Sequence, residues 1–240
     1  MKILALDTSA VAASAAILSD GKLLSEAYIN TGLNHSESVM VLIDNVLKQS
    51  SLTLDDIDYY AVTAGPGSFT GIRIGVSAIK GLVFSDNKKC FSVSTPEAIA
   101  YSAAIDGFII CPVMDARCMQ VYTAAFEKRG DELMRLFDDA PLKLEELAMK
   151  LKEYDKKILL AGDGADIAYK YLSEKGFDVR KMPEIFKYQH ASSVAFCAWN
   201  MYNKGIGPEI GSALVPVYLR LSQAERELKN RSNKNDSIKQ

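Results

Sequence analysis

The 240-residue sequence predicts an α/β protein of two related, abutting lobes, and three observations predict it. Short apolar runs of strand length alternate along the chain with runs whose apolar residues recur at helical spacing. The opening unit, a buried strand that ends in an aspartate and is followed by a hairpin, returns in the second half: residues 3–6 lead into Asp7-Thr8-Ser9, and residues 108–114 lead into Asp115-Ala116-Arg117. Gly21 follows Asp7 by 14 positions and Gly130 follows Asp115 by 15, with little identity between the copies, so the unit repeats and the letters do not. No low-complexity linker divides the halves, which suits two lobes sharing a cleft. The expected division is a first lobe over 1–105, a smaller second lobe over 106–221, and a polar tail over 222–240 read as disordered.

Taken in order, residues 3–6, 12–18 and 22–28 read as three strands, the last two joined by an Asp20-Gly21 hairpin turn. A helix starts near Asn34, with Val39, Leu42, Ile43, Val46 and Leu47 on one face. Residues 53–56 form a short helical cap before a strand at 59–64, and a glycine-rich turn leads into a helix over 76–84. A strand at 89–93 precedes a helix with Thr95 as its N-cap and Pro96 at its first position. The second half reads as strands at 108–114 and 120–127, a turn at 129–131 and another short strand. An amphipathic helix over 142–154, a strand at 157–161 and helices over 165–174 and 192–202 follow, and an extended segment at 214–219 closes the chain.

Composition excludes several functions. Apolar residues make up 48% and charged residues 24%, as in an ordinary globular protein. A net charge of −2 argues against a chain that grips nucleic acid by itself, though not against one that does so within a complex. Four cysteines (Cys90, Cys111, Cys118, Cys197) lie without a Cys-x-x-Cys pair and read as reduced thiols of a cytoplasmic protein. No apolar run reaches membrane-spanning length and no signal region opens the chain.

The stretch Gly65-Pro66-Gly67-Ser68-Phe69-Thr70-Gly71-Ile72-Arg73-Ile74-Gly75 organises the rest. A strand, a glycine turn and a helix start present free amides and a favourable dipole to an anion, which makes Gly65, Gly67 and Ser68 phosphate-binding candidates. The spacing nevertheless fails both common nucleotide fingerprints, because Thr70 stands where each requires glycine. The other reading is a tight turn whose Gly71 and Gly75 let a helix approach its neighbour. Asp7, with Thr8 and Ser9, and Asp115 either orient magnesium and phosphate across a cleft or cap their own strand turns. Gly162 and Gly164 in a strand–turn–helix element either seat a nucleoside or make a turn. No catalytic residue and no metal site is assigned: the two histidines, His35 and His190, are far apart, and no Gly-x-Ser-x-Gly elbow surrounds Ser68.

The opening block 3–9, the glycine block and the closing Tyr218-Leu219-Arg220 together resemble the TsaB family, the glycoprotease-like bacterial partner subunits in synthesis of the threonylcarbamoyladenosine modification of tRNA. Met114-Asp115-Ala116-Arg117 and residues 160–164 resemble that family's second-lobe segments, so the likeness runs to about Arg220. It implies the duplicated actin-like, sugar-kinase and Hsp70 (ribonuclease H-like) α/β fold, with two mixed sheets flanked by helices. It further implies a non-catalytic scaffold that forms a heterodimer with the TsaD transferase and works with the TsaE ATPase. The same resemblance implies that tRNA is reached through the complex, that this chain itself requires no cofactor, and that ATP and magnesium, where used, belong to the complex; a surplus apolar face would let lone chains form a homodimer. The related transferase carries a metal-binding His-x-x-x-His pair; here His35 is followed by Val39, so the metal site is not carried over. The implied partner interface lies on the first lobe, with Met40, Leu42, Ile43, Val46, Arg73, Val76, Ile79 and Val83 as candidates. The rival readings are an ATP-dependent small-molecule kinase of the same fold and a glycoprotease-like peptidase.

Overall fold

The computed structural model describes residues 1–32, 34–117 and 119–220; the polar tail and Cys118 lie outside them. The first half runs β1 (Lys2–Asp7), β2 (Ala13–Ser19), β3 (Lys22–Ile29), α1 (His35–Gln49), β4 (Tyr59–Gly65), α2 (Phe69–Leu82), β5 (Lys89–Ser94) and α3 (Thr95–Ser102). The second runs β6 (Phe108–Asp115), β7 (Gln120–Arg129), β8 (Glu132–Lys143), α4 (Leu144–Leu151), β9 (Lys157–Ala161), α5 (Ala165–Glu174), β10 (Val179–Lys181) and α6 (Ala191–Asn203), and β11 (Glu209–Ile210) follows. One sheet has the order β11-β5-β4-β1-β2-β3 and the other β10-β9-β6-β7-β8. Without β11 the two orders are the same. Both sheets are mixed: β1 pairs antiparallel with β2 and parallel with β4, as β6 does with β7 and β9. The duplication read from the two aspartate strands therefore extends to every strand and helix but β11, and the protein has a duplicated, two-lobed α/β fold with two mixed sheets flanked by helices.

Both faces of each sheet are covered, which is why the central strands read as unbroken apolar runs. On β1, Leu4 and Leu6 enter a core with Val39, Leu42, Ile43 and Val46 of α1 and Ile72, Val76 and Ile79 of α2. Ile3 and Ala5 point the other way, into a core with Val194, Ala195 and Ala198 of α6. In the second lobe α4 and α5 cover one face of the sheet. The other face packs Ile110, Tyr122 and Phe126 against Ile99 and Ala100 of α3 and its C-cap Ala103. The two lobes thus exchange their last helices. These helices touch between the sheets, where Ser102 and Ser193 share a 2.6 Å hydrogen bond and the Tyr101 and Phe196 rings meet edge to face.

This exchange corrects the division expected at 105/106, since α6 and β11 return to the first sheet and α3 serves the second. Two local corrections concern helix starts. Ser94, not Thr95, caps α3, accepting the amide of Glu97 at 3.2 Å and placing Pro96 one position further in. The helix expected from Leu142 starts at Leu144, because β7 pairs with residues through Lys143 and the Glu146 carboxylate accepts the Lys143 amide at 2.8 Å. The preceding strand, expected to be short, has 12 residues. The cap at 53–56 is a 3₁₀ turn whose Asp56 carboxylate accepts from the Thr53 amide and hydroxyl. Cys90, Cys111 and Cys197 are buried free thiols, and burial pushes the first two up to about 12. Among the described residues no helix is long and apolar enough to cross a membrane.

Candidate functional site

The strand β1 delivers Asp7 to the junction of the lobes, where it is fully buried at 0% exposure. Its Oδ1 accepts the Ser9 amide at 3.0 Å and the Ser9 hydroxyl at 3.0 Å, closing an Asx turn. Burial pushes the Asp7 carboxyl up from the ordinary range, against the pull of those Ser9 hydrogen bonds. Gln189, from the segment before α6, donates through Nε2 to the Ser9 Oγ at 3.1 Å.

The glycine block holds this turn. The Ser68 amide donates to the Ser9 carbonyl at 2.7 Å, and the Thr8 hydroxyl donates to the Gly71 carbonyl at 2.7 Å. A Cβ on Gly67 would collide with the Ser9 carbonyl oxygen, and one on Gly71 with the Thr8 carbonyl oxygen. The Gly75 position meets the Thr8 hydroxyl in the same way. The start of α2 is capped by the Ser68 hydroxyl, which accepts the Gly71 amide at 3.2 Å. The glycines therefore serve the close approach of helix and strand turn. The space above Gly65 is taken by the Val217 carbonyl of the closing segment, whose amide donates to the Ala64 carbonyl at 2.7 Å.

The second lobe repeats the arrangement. Asp115 Oδ1 accepts the Arg117 amide at 2.7 Å, the same two-residue turn as at Asp7. The Gly164 amide donates to the Val113 carbonyl at 3.0 Å, and a Cβ on Gly162 would collide with that oxygen. Between these glycines the Asp163 carboxylate accepts the Asp115 amide at 3.1 Å. Burial raises the Asp163 carboxyl, and the neighbouring Asp115 charge adds to the rise. The lobes touch here: the Met114 Sδ-methyl lies against Gly67, and Ala10 packs in one cluster with Met114 and Ala116. Arg220 closes the rim by donating to the Ala116 carbonyl at 2.6 Å.

His35 binds the Ala10 carbonyl through Nε2 at 2.7 Å, while Val39 is in the core. Among the described residues no group of three His, Cys, Asp or Glu side chains is placed to hold a metal ion. A magnesium–phosphate chain does not fit at the glycine block, because its amide donor and the space over it are filled by Thr8 and Ser9.

The expected partner surface needs correction. Leu42, Ile43, Val46, Val76, Ile79 and Val83 are buried against the first sheet, so their helical stripe is the inward face of α1 and α2. Met40, 49% exposed, and Arg73 are the candidates that reach the surface. Arg73 donates to the Tyr218 hydroxyl at 2.6 Å, and the Tyr218 ring stacks on Phe69 at 4.4 Å. Gln189 carried no sequence signal, because it reaches the Asp7–Ser9 turn from a remote segment.

A family model described as TsaD, tRNA N6-adenosine threonylcarbamoyltransferase, matches residues 29–228. The tRNA threonylcarbamoyladenosine biosynthesis protein TsaB of Bacillus subtilis is 30% identical over 229 residues, covering 94% of this chain and 96% of that protein. The Escherichia coli protein of the same name is 27% identical over 236 residues, covering 95% and 98%. A crystal structure of a Pseudomonas aeruginosa protein with similarity to peptidase YeaZ superposes with a TM-score of 0.77 at 25% identity, covering 91% of this chain and 99% of that one. With its duplicated lobes, its glycine block and a near full-length relative, the chain belongs to the TsaB family, within the wider group that the transferase model describes.

Proposed function

We propose that this chain is a non-catalytic scaffold subunit that binds and activates the TsaD transferase in tRNA N6-threonylcarbamoyladenosine modification next to the anticodon. The relatives' names support its place in that biosynthesis. One observation carries the scaffold role: the glycine block grips the chain's own Thr8-Ser9 turn. Backbone that would cradle a phosphate is spent on holding the lobe's shape. In this reading the chain needs no cofactor, ATP and magnesium belong to the complex, the TsaE ATPase is the third member, and the setting is cytoplasmic.

The partner-facing surface is the outer side of α1 and α2, with Met40, Val41 and Arg73. Exposed Val215, Val217 and Tyr218 of the closing segment add apolar area next to α2. Such a surface pairs two copies of the chain when the transferase is missing.

Co-purification with the transferase, followed by a tRNA modification assay with and without this chain, tests the reading. A stable complex and modification that depends on the chain are expected. Phosphoryl transfer by the isolated chain would instead support the kinase of the same fold, and peptide cleavage the peptidase. Met40→Asp combined with Val41→Asp should weaken association at least tenfold with an unchanged melting temperature. Leu42→Asp and Ile79→Asp, in the core, should unfold the chain instead.

A further inference from the structure

The geometry points to the groove at the strand-start end of the second lobe as a contact site for the phosphodiester backbone of RNA. This rests on the reading above and deepens it, by giving the chain a contact of its own with the nucleic acid. The groove encloses about 780 Å³ between the α4–β9 turn, the start of β6 and the α5–β10 turn. Lys152, Lys156, Lys157 and Lys175 line it, all exposed, against two lining carboxylates, Asp155 and Asp178. Its floor is made by the half-buried rings of Tyr154 and Phe177, which pack on the core beneath α4 and α5. That floor supports the aliphatic lysine stems and leaves the ammonium groups in water.

Lys152 and Lys175 are the C-caps of α4 and α5, and a cation there complements the dipole of its own helix. That role covers two of the four. Lys156 and Lys157 lead into and open β9, where no helix ends. Neutralisation within the groove is incomplete. Lys156 pairs with Glu127, and Lys157 lies 4.0 Å from Asp178 with both side chains about half exposed. Lys152 has no ion-pair partner among the described residues, and the Lys175 ammonium lies over the Tyr171 ring at 5.5 Å. In a chain whose net charge is −2, this is a local excess of cations.

The partner chemistry follows from the arrangement. Several hydrated point charges along an open groove suit a repeating anion better than a single one. Rings that are half-buried and packed on the core are poor stacking platforms for bases, so the contact is with phosphates and independent of sequence. An RNA backbone supplies that repeat, and it is the polymer on which the proposed function acts.

Fluorescence anisotropy of a labelled, unmodified tRNA transcript tests this, with the chain alone and with the chain plus transferase. For Lys152→Glu/Lys175→Glu, tRNA affinity should fall about tenfold and the slope of log affinity against log salt should become shallower by about 1 to 2. Size-exclusion chromatography should show the heterodimer intact. Lys152→Gln/Lys175→Gln should give the same direction with a smaller loss. Unchanged affinity and slope in an intact heterodimer would overturn the site and leave the scaffold reading standing. Equal binding of phosphatidylglycerol vesicles or polyglutamate, lost in the same variants, would replace RNA by a general polyanion surface. Failure of the heterodimer to form even with the unaltered chain would count against the scaffold reading, while titration of the chain alone would still read the groove.

Discussion

The two lobes solve one packing problem with different chemistry. In each, a strand ends in an aspartate that folds back on the amide two residues later, and a glycine turn from the neighbouring parallel strand presses on that end. In the first lobe the contact is backbone on backbone: Gly67 and Gly71 abut the Ser9 and Thr8 carbonyls, and Asp7 is completely buried. In the second lobe Gly162 likewise abuts a backbone carbonyl, that of Val113, but a carboxylate is added, because Asp163 caps the Asp115 amide, and the Asp115 side chain stays 25% exposed. Close glycine contact leaves no room for a side chain between helix start and strand turn. Gly164 in the second lobe has more room, since the nearest atoms to an added methyl lie 3.0 Å away. The first lobe also carries the exposed surface proposed for the partner.

The largest expected effect breaks the lobes apart. Residues 1–105 alone lack α6, which leaves Ile3, Ala5, Ala16 and Phe91 without their cover. Each large aliphatic or aromatic side chain left exposed forfeits about 1.5–3 kcal/mol. The fragment should show no cooperative thermal transition by circular dichroism, and the full chain should unfold in a single one. A fragment that melts cooperatively would show that the helix exchange is dispensable and that each lobe stands alone.

Next in size is the contrast between the glycine joints. Gly71→Ala drives a methyl into the Thr8 carbonyl, in a turn whose Thr8 hydroxyl is tied to the Gly71 carbonyl at 2.7 Å, and should cost about 3 kcal/mol. Gly164→Ala meets the Asp115 amide nitrogen at 3.0 Å, at a turn held partly by a side chain, and should cost about 1 kcal/mol. Urea melts of the two variants measure the difference. Equal losses would mean that both turns accommodate a methyl equally, and the distinction between Gly71 and Gly164 would fall.

Much of this was legible in the sequence, for identifiable reasons. Apolar runs marked the central strands because both faces of each sheet are buried. The aspartate–hairpin unit exposed the duplication because a strand end and a turn both restrict residue choice. The reading of Gly71 and Gly75 as places of close approach matches their contacts with Thr8. What stayed hidden depends on partners remote in the chain. The stripe Val39, Leu42, Ile43 and Val46 reports that a face is buried but does not say against what, and the first sheet claims it. Small residues on α6 promise close packing but do not name the sheet. Gln189 reaches Ser9 across 180 positions. Ser94 and Thr95 are both good caps, so residue preference alone does not decide between them.

The exchanged helices supply the smallest and sharpest comparison, since the third strand of each receiving lobe holds the incoming helix by its start. In the second lobe β8 holds α3: the Ser94 hydroxyl donates to Asp139 at 2.6 Å, and Arg135 bridges Glu97 at 2.7 Å and Asp139 at 2.6 Å. In the first lobe β3 holds α6 through one carboxylate, Glu26, which accepts the Ser192 amide at 3.0 Å and its hydroxyl at 2.9 Å, with His190 Nδ1 3.4 Å away. Burial works against ionisation of Glu26, but His190 and the Ser192 donors outweigh it and hold the carboxyl below its ordinary value of 4.5. A carboxyl depressed in the folded state stabilises the fold above its unfolded value, and that contribution is lost as pH falls through the lower, folded one. Glu26→Gln should therefore cost about 1 kcal/mol at pH 7 and progressively less as the pH is lowered below 4.5. Arg135→Ala removes two ion pairs at the equivalent anchor without removing the Ser94–Asp139 bond, so α3 should stay docked. Guanidinium melts of both variants at pH 7 and pH 4 check this. A Glu26→Gln loss that is the same at both pH values would remove the carboxylate from the anchoring of α6 and leave apolar packing on Ile3 and Ala5 as its hold on the first lobe.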